Sequence, residues 1–188
     1  MAVATRDEWM SLAHEPSDIE HIFAVDGDDK ATLERLDILP RVVVTEPRGC
    51  FRAYNLAAQQ TTGDIIVPIE DDLHPESGWD VNVKHVLKDC WDQVACLAVG
   101  DAKDYLCIEW VFTRKFVEKR GMYHDDYFQY CADTELRLRA RADRVLTKHA
   151  PGILFLHRPV EDASWKRKQT TYDRDRETLK RRWEAGWP

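Results

Sequence analysis

The strongest constraint on how this sequence can fold is a pair of short apolar runs, each ending abruptly in carboxylates. Residues 19–25 run into Asp26-Gly27-Asp28-Asp29, and residues 64–69 run into Glu70-Asp71-Asp72. Short β-branched stretches closed by turn residues read as buried strands. Between them lie helical spacings over 31–39 and 51–60 and a second β-branched run over 41–44. Strands alternating with helices on connections this short predict an α/β fold with a mostly parallel sheet, a single domain with flanking helices. Residues 3–5 are expected as a very short first strand, and 7–13 as a short helix. Pro68 lies inside the third expected strand and cannot donate to a central ladder, so that strand must bulge or end there.

Further along, Trp79, Val83, Val86, Leu87 and Cys90 repeat with the spacing of one amphipathic helix face. Residues 94–99 and 106–112 read as strands. A helix is predicted from Asp133 to about Lys148, with Leu138, Ala142, Val145 and Leu146 as its buried stripe and Arg137, Arg141, Arg144 and Lys148 as its wet face. Residues 153–157 form a last apolar run, and 172–183 a charged terminal helix.

Charge is unevenly distributed. The chain carries net −7, which argues against a protein whose main role is coating nucleic acid. Residues 163–188 nevertheless hold eight basic and four acidic residues, leaving the acidic excess to the rest. Such a tail reads either as a solvated helix or as a cover for an anionic partner. The apolar runs are too short to span a bilayer, and Arg6, Asp7 and Glu8 stand where a secretory leader needs its apolar stretch, so a cytoplasmic location is expected. The five cysteines form no CxxC pair, which favours reduced, buried thiols over a zinc site or disulfide framework.

In an open α/β sheet, ligands gather beyond the carboxyl ends of the strands, where the two acidic clusters fall. Six acidic and no basic residues lie between Asp64 and Asp80. Adjacent carboxylates repel unless a cation or hydrogen bonds offset them, so a hard ion such as Mg²⁺ or Mn²⁺ suits them. A solvated acidic turn is the alternative.

A series of short motifs then follows in order. Arg48-Gly49, Asn55, Gly63-Asp64-Ile65-Ile66-Val67, Asp71-Asp72 and Gly78-Trp79 resemble the nucleotide-sugar half of an inverting GT-A glycosyltransferase of family 2 type. Trp110-Val111-Phe112-Thr113-Arg114, Gly121 and Asp133-Thr134-Glu135-Leu136 with Arg139 resemble the acceptor half. The resemblance implies a compact GT-A-like, Rossmann-related catalytic domain over 1–162, divided into a nucleotide-sugar half (1–80) and an acceptor half (81–162). Residues 163–188 would be a basic helical tail or lid.

It also implies roles. Asp26, Asp28, Arg48, Asn55 and Asp71 would bind the nucleotide-sugar donor, a UDP-sugar first of all, with Lys166 and Arg167 of the tail clamping its diphosphate. Asp72 and His157 would hold Mn²⁺ or Mg²⁺, although Ile69 stands where the family's first motif aspartate is usual. Asp133 would be the catalytic base, with Ala132 in place of the family's preceding Glu. Trp110 and Glu135 would contact the acceptor.

The chemistry fits these residue types, since a carboxylate can deprotonate an attacking hydroxyl while cations neutralise the departing diphosphate. The acceptor is open: DNA carrying hydroxymethylated bases, as a virus-encoded enzyme would modify, is one reading. The basic faces Arg137/Arg141/Arg144 and 166–182 would then meet phosphates. Two rivals remain. Phe23-Ala24-Val25-Asp26-Gly27-Asp28 resembles the nucleophile motif of haloacid-dehalogenase-type phosphatases, with Gly100-Asp101 and Asp104 as a later acidic motif, though Asp29 is unusual there. A non-catalytic module binding carbohydrate or metal is the other.

Overall fold

The computed structural model describes residues 2–46, 49–99, 109–150, 155–157 and 168–186. They form α1 (Ala2–Leu12), β1 (Phe23–Asp26), α2 (Lys30–Arg35), β2 (Arg41–Val44), α3 (Cys50–Ala58), β3 (Ile65–Ile66), β4 (Leu73–Pro75) and α4 (Trp79–Leu87). The second half adds β5 (Ala95–Val99), β6 (Glu109–Thr113), α5 (Arg114–Arg120), α6 (Ala132–Ala142), β7 (Leu146–Ala150), β8 (Phe155–His157) and α7 (Lys168–Glu184). The chain divides into two compact units, each assembled from separated stretches. One holds Met1–His21, Thr61–Arg120 and Val145–Val160; the other holds Ile22–Gln60, Gly121–Arg144 and Glu161–Pro188.

The first unit is built on a four-stranded sheet of order β3-β6-β5-β7. All five residues of β5 are buried, as expected for a strand covered on both faces. Leu97, Val99 and Val111 turn to the side where Trp9 of α1 and Trp79, Val83 and Leu87 of α4 pack. Phe112, one residue on and therefore on the opposite face, meets Phe116 of α5 with ring centroids 5.2 Å apart. Trp9 is the hub: its ring meets Trp79 at 4.8 Å and Phe155 at 4.9 Å, both edge-on. Neither indole N–H is orphaned, since Trp9 donates to the Leu73 carbonyl at 2.8 Å and Trp79 donates to the Trp9 carbonyl at 2.9 Å. Buried Asp80 accepts from the His14 and Glu15 amides at 3.0 and 2.8 Å. It thereby ties the end of α1 to the start of α4, where Gly78 takes a left-handed φ of 75°.

The second unit contains the parallel pair β1–β2 with α2, α3, α6 and α7. Asp26 closes β1 opposite Val44, and Asp29 caps α2 by accepting from the Thr32 amide at 3.0 Å. Gly49 enters α3 at φ 89°, with a Cβ at that position falling 1.7 Å from the Phe128 carbonyl oxygen. Only glycine admits that approach, which allows the Cys50 amide to donate to the same oxygen at 3.0 Å.

The mixed α/β class holds, with the sheets only partly parallel: β1–β2 and β5–β7 are parallel, while β3–β6, β5–β6 and β4–β8 are antiparallel. Three local expectations are corrected. Residues 3–5 are not a strand but the first turn of α1, because Thr5 and Trp9 share a helical face and are the two residues it buries. The Thr5 hydroxyl donates to the Asp71 carbonyl at 2.6 Å. The third strand shrinks to Ile65–Ile66, consistent with Pro68 halting it. The helix expected to reach Lys148 ends at Ala142: Arg144 adopts a left-handed φ of 54°, and Leu146–Ala150 pairs with β5 instead. The α6 residues buried are therefore Ala132, Glu135, Leu136 and Ala140, not Ala142 or Leu146. Four of the cysteines are described as free thiols, with Cys90 and Cys96 buried and Cys50 and Cys131 half-buried.

Replacing Trp9 with alanine is expected to empty the centre of the first core and orphan the Leu73 carbonyl. The cost is about 3–5 kcal/mol, read as a lowered midpoint in urea unfolding.

Candidate active site

The site-bearing residues fall into two sets. Asp26, Asp28, Asn55, Asp133 and Glu135 belong to the second unit; Asp71, Asp72, Trp110 and His157 belong to the first. Arg48, Lys166 and Arg167 lie outside the described residues, as do Asp101 and Asp104.

In the second unit, Asp26 stands at the exposed end of β1. Partial burial raises its pKa above the ordinary aspartate value, and the neighbouring charges of Asp28 and Asp29 add to that. Asn55 of α3 is fully engaged by the 123–125 segment. Its amide nitrogen donates to the Tyr123 carbonyl and to Asp125 Oδ1, both at 2.7 Å, and its oxygen accepts from the Tyr123 amide at 3.2 Å. Asp133 sits in the first turn of α6, half-buried. Burial raises its pKa, and the helix-start amides of Thr134 and Asp133 together with the charge of Arg137 only partly offset this. A cavity of about 400 Å³ in the same unit is lined by Asp125, Asp126, Arg174, Thr178 and Arg181, and none of the expected site residues contributes to it.

Two residues beyond Asp133, Glu135 is 1% exposed and surrounded by donors. Arg182 of α7 grips it with two bonds, Nε to Oε2 at 2.6 Å and Nη2 to Oε1 at 2.9 Å. The Tyr127 hydroxyl donates to Oε2 at 2.6 Å. Arg139 Nε lies 3.1 Å from Oε1, an ion pair whose angle makes no hydrogen bond. Burial alone would raise the Glu135 pKa, but the bonds from Arg182 and Tyr127 and the two guanidinium charges outweigh it and lower it. The Tyr127 phenol is pushed far up by burial and by the same carboxylate, so it remains a donor. Arg182 Nη1 also lies 2.8 Å from His124 Nε2. Burial, reinforced by the Arg182 charge, lowers the His124 pKa and favours a neutral ring.

A second carboxylate on α7 completes the arrangement. Asp175 is wholly buried and accepts from three successive amides, Phe128 at 3.0 Å and Gln129 and Tyr130 at 2.8 Å. Cys131 follows with a left-handed φ of 66°, and α6 begins at the next residue. Sequence reasoning missed Tyr127, Asp175 and Arg182. For the two α7 residues the signal is the i, i+3, i+7 spacing of Asp175, Thr178 and Arg182, which contains no apolar residue. The expected basic face over 166–182 is corrected at its end: Arg182 is buried against Glu135 and presents no charge to a phosphate.

In the first unit, Asp71 is exposed and Asp72 half-buried, immediately before β4. The antiparallel register of β4 with β8 sets Leu73 opposite His157, so the backbone brings Asp72 and His157 to the same end of that ribbon. Among the described residues no group of three His, Cys, Asp or Glu side chains is placed to hold an ion. Trp110 lies in β6, 3% exposed, within the sheet.

No protein-family model and no curated protein sequence matches the chain. Among solved structures, the crystal structure of S. aureus TarS residues 1–349, a family 2 glycosyltransferase, is similar at a TM-score of 0.52 and 8% identity. The match covers 80% of this chain and 56% of that one, so the chain spans little more than half the length of its structural neighbour. The likeness establishes a glycosyltransferase-like fold. No helix among the described residues is long and apolar enough to cross a membrane.

The two acidic residues of α6 should respond oppositely to removal. Glu135→Ala leaves Arg182 buried without its counter-charge and should cost about 3–5 kcal/mol in urea unfolding. Asp133 has a raised pKa in the folded chain, so the folded state binds more protons than the unfolded one and stability falls as pH rises through that window. Asp133→Asn removes this penalty, and its Tm at neutral pH should equal or exceed that of the unmodified chain.

Proposed function

We propose that the protein transfers a sugar from a nucleotide-diphosphate sugar to an acceptor hydroxyl, with inversion and with Asp133 as general base. The observation that carries this reading is Asp133 itself: a half-buried carboxylate at a helix start, its pKa raised by burial, in a chain with a glycosyltransferase-like fold. A raised pKa strengthens a carboxylate as a proton acceptor. In the proposed step the acceptor O–H proton passes to a carboxylate oxygen of Asp133 as the acceptor oxygen attacks the anomeric carbon. The bond from that carbon to the phosphate oxygen breaks, and its electron pair leaves with the nucleoside diphosphate. One displacement from the opposite face inverts the anomeric centre.

In this reading Asp26, Asp28 and Asp71 contact the nucleotide and sugar, and Arg48, Lys166 and Arg167 neutralise the diphosphate. Asn55, whose polar atoms hold the Tyr123–Asp125 backbone and side chain, would act through that segment. In the same reading Asp72 and His157, which the strand register brings to one end of the β4–β8 ribbon, would hold a hard divalent ion, and Mg²⁺ or Mn²⁺ ordinarily takes its other ligands from substrate phosphates and water. Bound there, the ion would stabilise the charge that develops on the leaving diphosphate. Hydroxymethylated DNA belongs among the acceptors tested, because Arg141 and Arg144 are exposed on one side of α6 and its end.

The test is release of nucleoside diphosphate from a panel of nucleotide sugars, UDP-sugars first, with Mn²⁺ or Mg²⁺ and varied acceptors. Asp133→Asn should lower kcat by about 10²–10⁴-fold with donor binding retained. The rate should rise with pH through an inflection above the ordinary aspartate range. Phosphate-ester hydrolysis without nucleotide-sugar turnover, or an Asp133→Asn variant as active as the parent, overturns the proposal.

A further inference from the structure

Helix α7 docks in an unusual way. Among its described side chains, the buried ones are Asp175, Thr178 and Arg182, one face of the helix with no apolar member. Burying a carboxylate and a guanidinium stabilises a helix less than an apolar stripe would, because each ion must first be stripped of water. What these two ions hold therefore matters more than how firmly they hold the helix. Asp175 accepts the amides of residues 128, 129 and 130, a run of N–H groups pointing one way that forms an anion-binding concavity filled by the protein's own carboxylate. Arg182 grips both oxygens of Glu135. Between these anchors stand the left-handed Cys131 and then Asp133. A non-glycine residue in that conformation persists only where its surroundings over-determine it.

We infer that Asp175 and Arg182 are positioning residues for Asp133: clamping the backbone three residues before it and the side chain two residues after it, they fix where its carboxylate stands. The inference rests on the reading of Asp133 as general base for its functional meaning, but the clamp is testable without it. The charge of Arg137 on α6 acts on Asp133, and Asp133, Asp175 and Arg176 all act on the Cys131 thiol, so a loosened clamp changes the surroundings of the Asp133 carboxyl.

Two conservative variants of the full chain test this. Asp175→Asn substitutes one accepting oxygen and an opposed NH₂ for a carboxylate facing three N–H donors, and Arg182→Lys keeps the charge but loses the fork. Arg181→Gln, on the exposed side of the same helix, is the control. Each is checked for folding by circular dichroism, and the Asp133 carboxyl is titrated by ¹³C NMR, assigned with Asp133→Asn.

Both clamp variants are expected to move the Asp133 midpoint by about half a pH unit or more, while the control leaves it in place. With nucleotide sugars they should lower kcat about 10–100-fold with donor KM changed by less than about twofold, as misplacement of a base predicts. A folded variant in which Asp133 titrates as in the parent overturns the inference, and Arg182→Lys decides the matter if Asp175→Asn does not fold. A parent protein that turns over no nucleotide sugar defeats the transferase reading instead, and the titration still decides the clamp.

Discussion

The buried carboxylate of Glu135 is the constraint around which the second unit is organised. An ionised group 1% exposed to solvent needs compensation, and it draws donors from the Tyr127 hydroxyl and from Arg182 of α7, with the charge of Arg139 one helical turn on. The Arg182 pKa is raised in return, first by its bond to Glu135. Once α7 is fixed at Arg182, Asp175 lies two helical turns back on the same face, where the 128–130 amides need an acceptor. The Phe128 carbonyl then receives the Cys50 amide, an approach that Gly49 alone permits. A single buried charge thus leads through α7 to the start of α3.

The first unit reaches order by other means. Its core around Trp9 is apolar, and the polar atoms that the tryptophans bring with them are each matched to a carbonyl. Its buried carboxylate, Asp80, has a lowered pKa because backbone amides, His14 and Glu15 first, more than offset burial. No guanidinium is needed there, since the amides of a chain end already point at it. The first unit packs by area and shape, whereas the second adds a buried, satisfied charge to its apolar residues.

This difference explains what the sequence made legible. The periodicity of Trp79, Val83 and Leu87 and the unbroken apolar run of β5 announce their structure because burial of apolar surface forms both. The β2 boundaries follow from the same signal. The segment after α6 was harder: Val145 and Leu146 continue a helical stripe on paper, yet pairing with β5 takes Leu146 into an edge strand that begins there, a preference set by a partner some fifty residues distant. Asp133 was found through its place in a motif, whereas Asp175 and Arg182 were not, because a buried ion looks in sequence like any charged residue on a solvated helix. Glu135 is legible as a residue of the motif but not by its surroundings: the motif implies an acceptor contact, and the structure surrounds it with protein donors.

Asp133 and Glu135 are both acidic residues of one helical turn, yet their environments drive them apart. Glu135 is the more deeply buried, but two guanidinium groups and a phenol compensate it and keep its proton off. Asp133 loses water without a comparable set of donors; Arg137 and the helix-start amides offset only part of the loss, and its affinity for a proton rises. Groups of the same chemistry whose pKa values are separated in this way divide into one that holds structure and one free to exchange protons. The direction of that division is set by Arg182 and Arg139, which are oriented toward Glu135. Fixing α7 therefore holds the Arg182 guanidinium on Glu135 and leaves Asp133 as the carboxylate with the raised pKa.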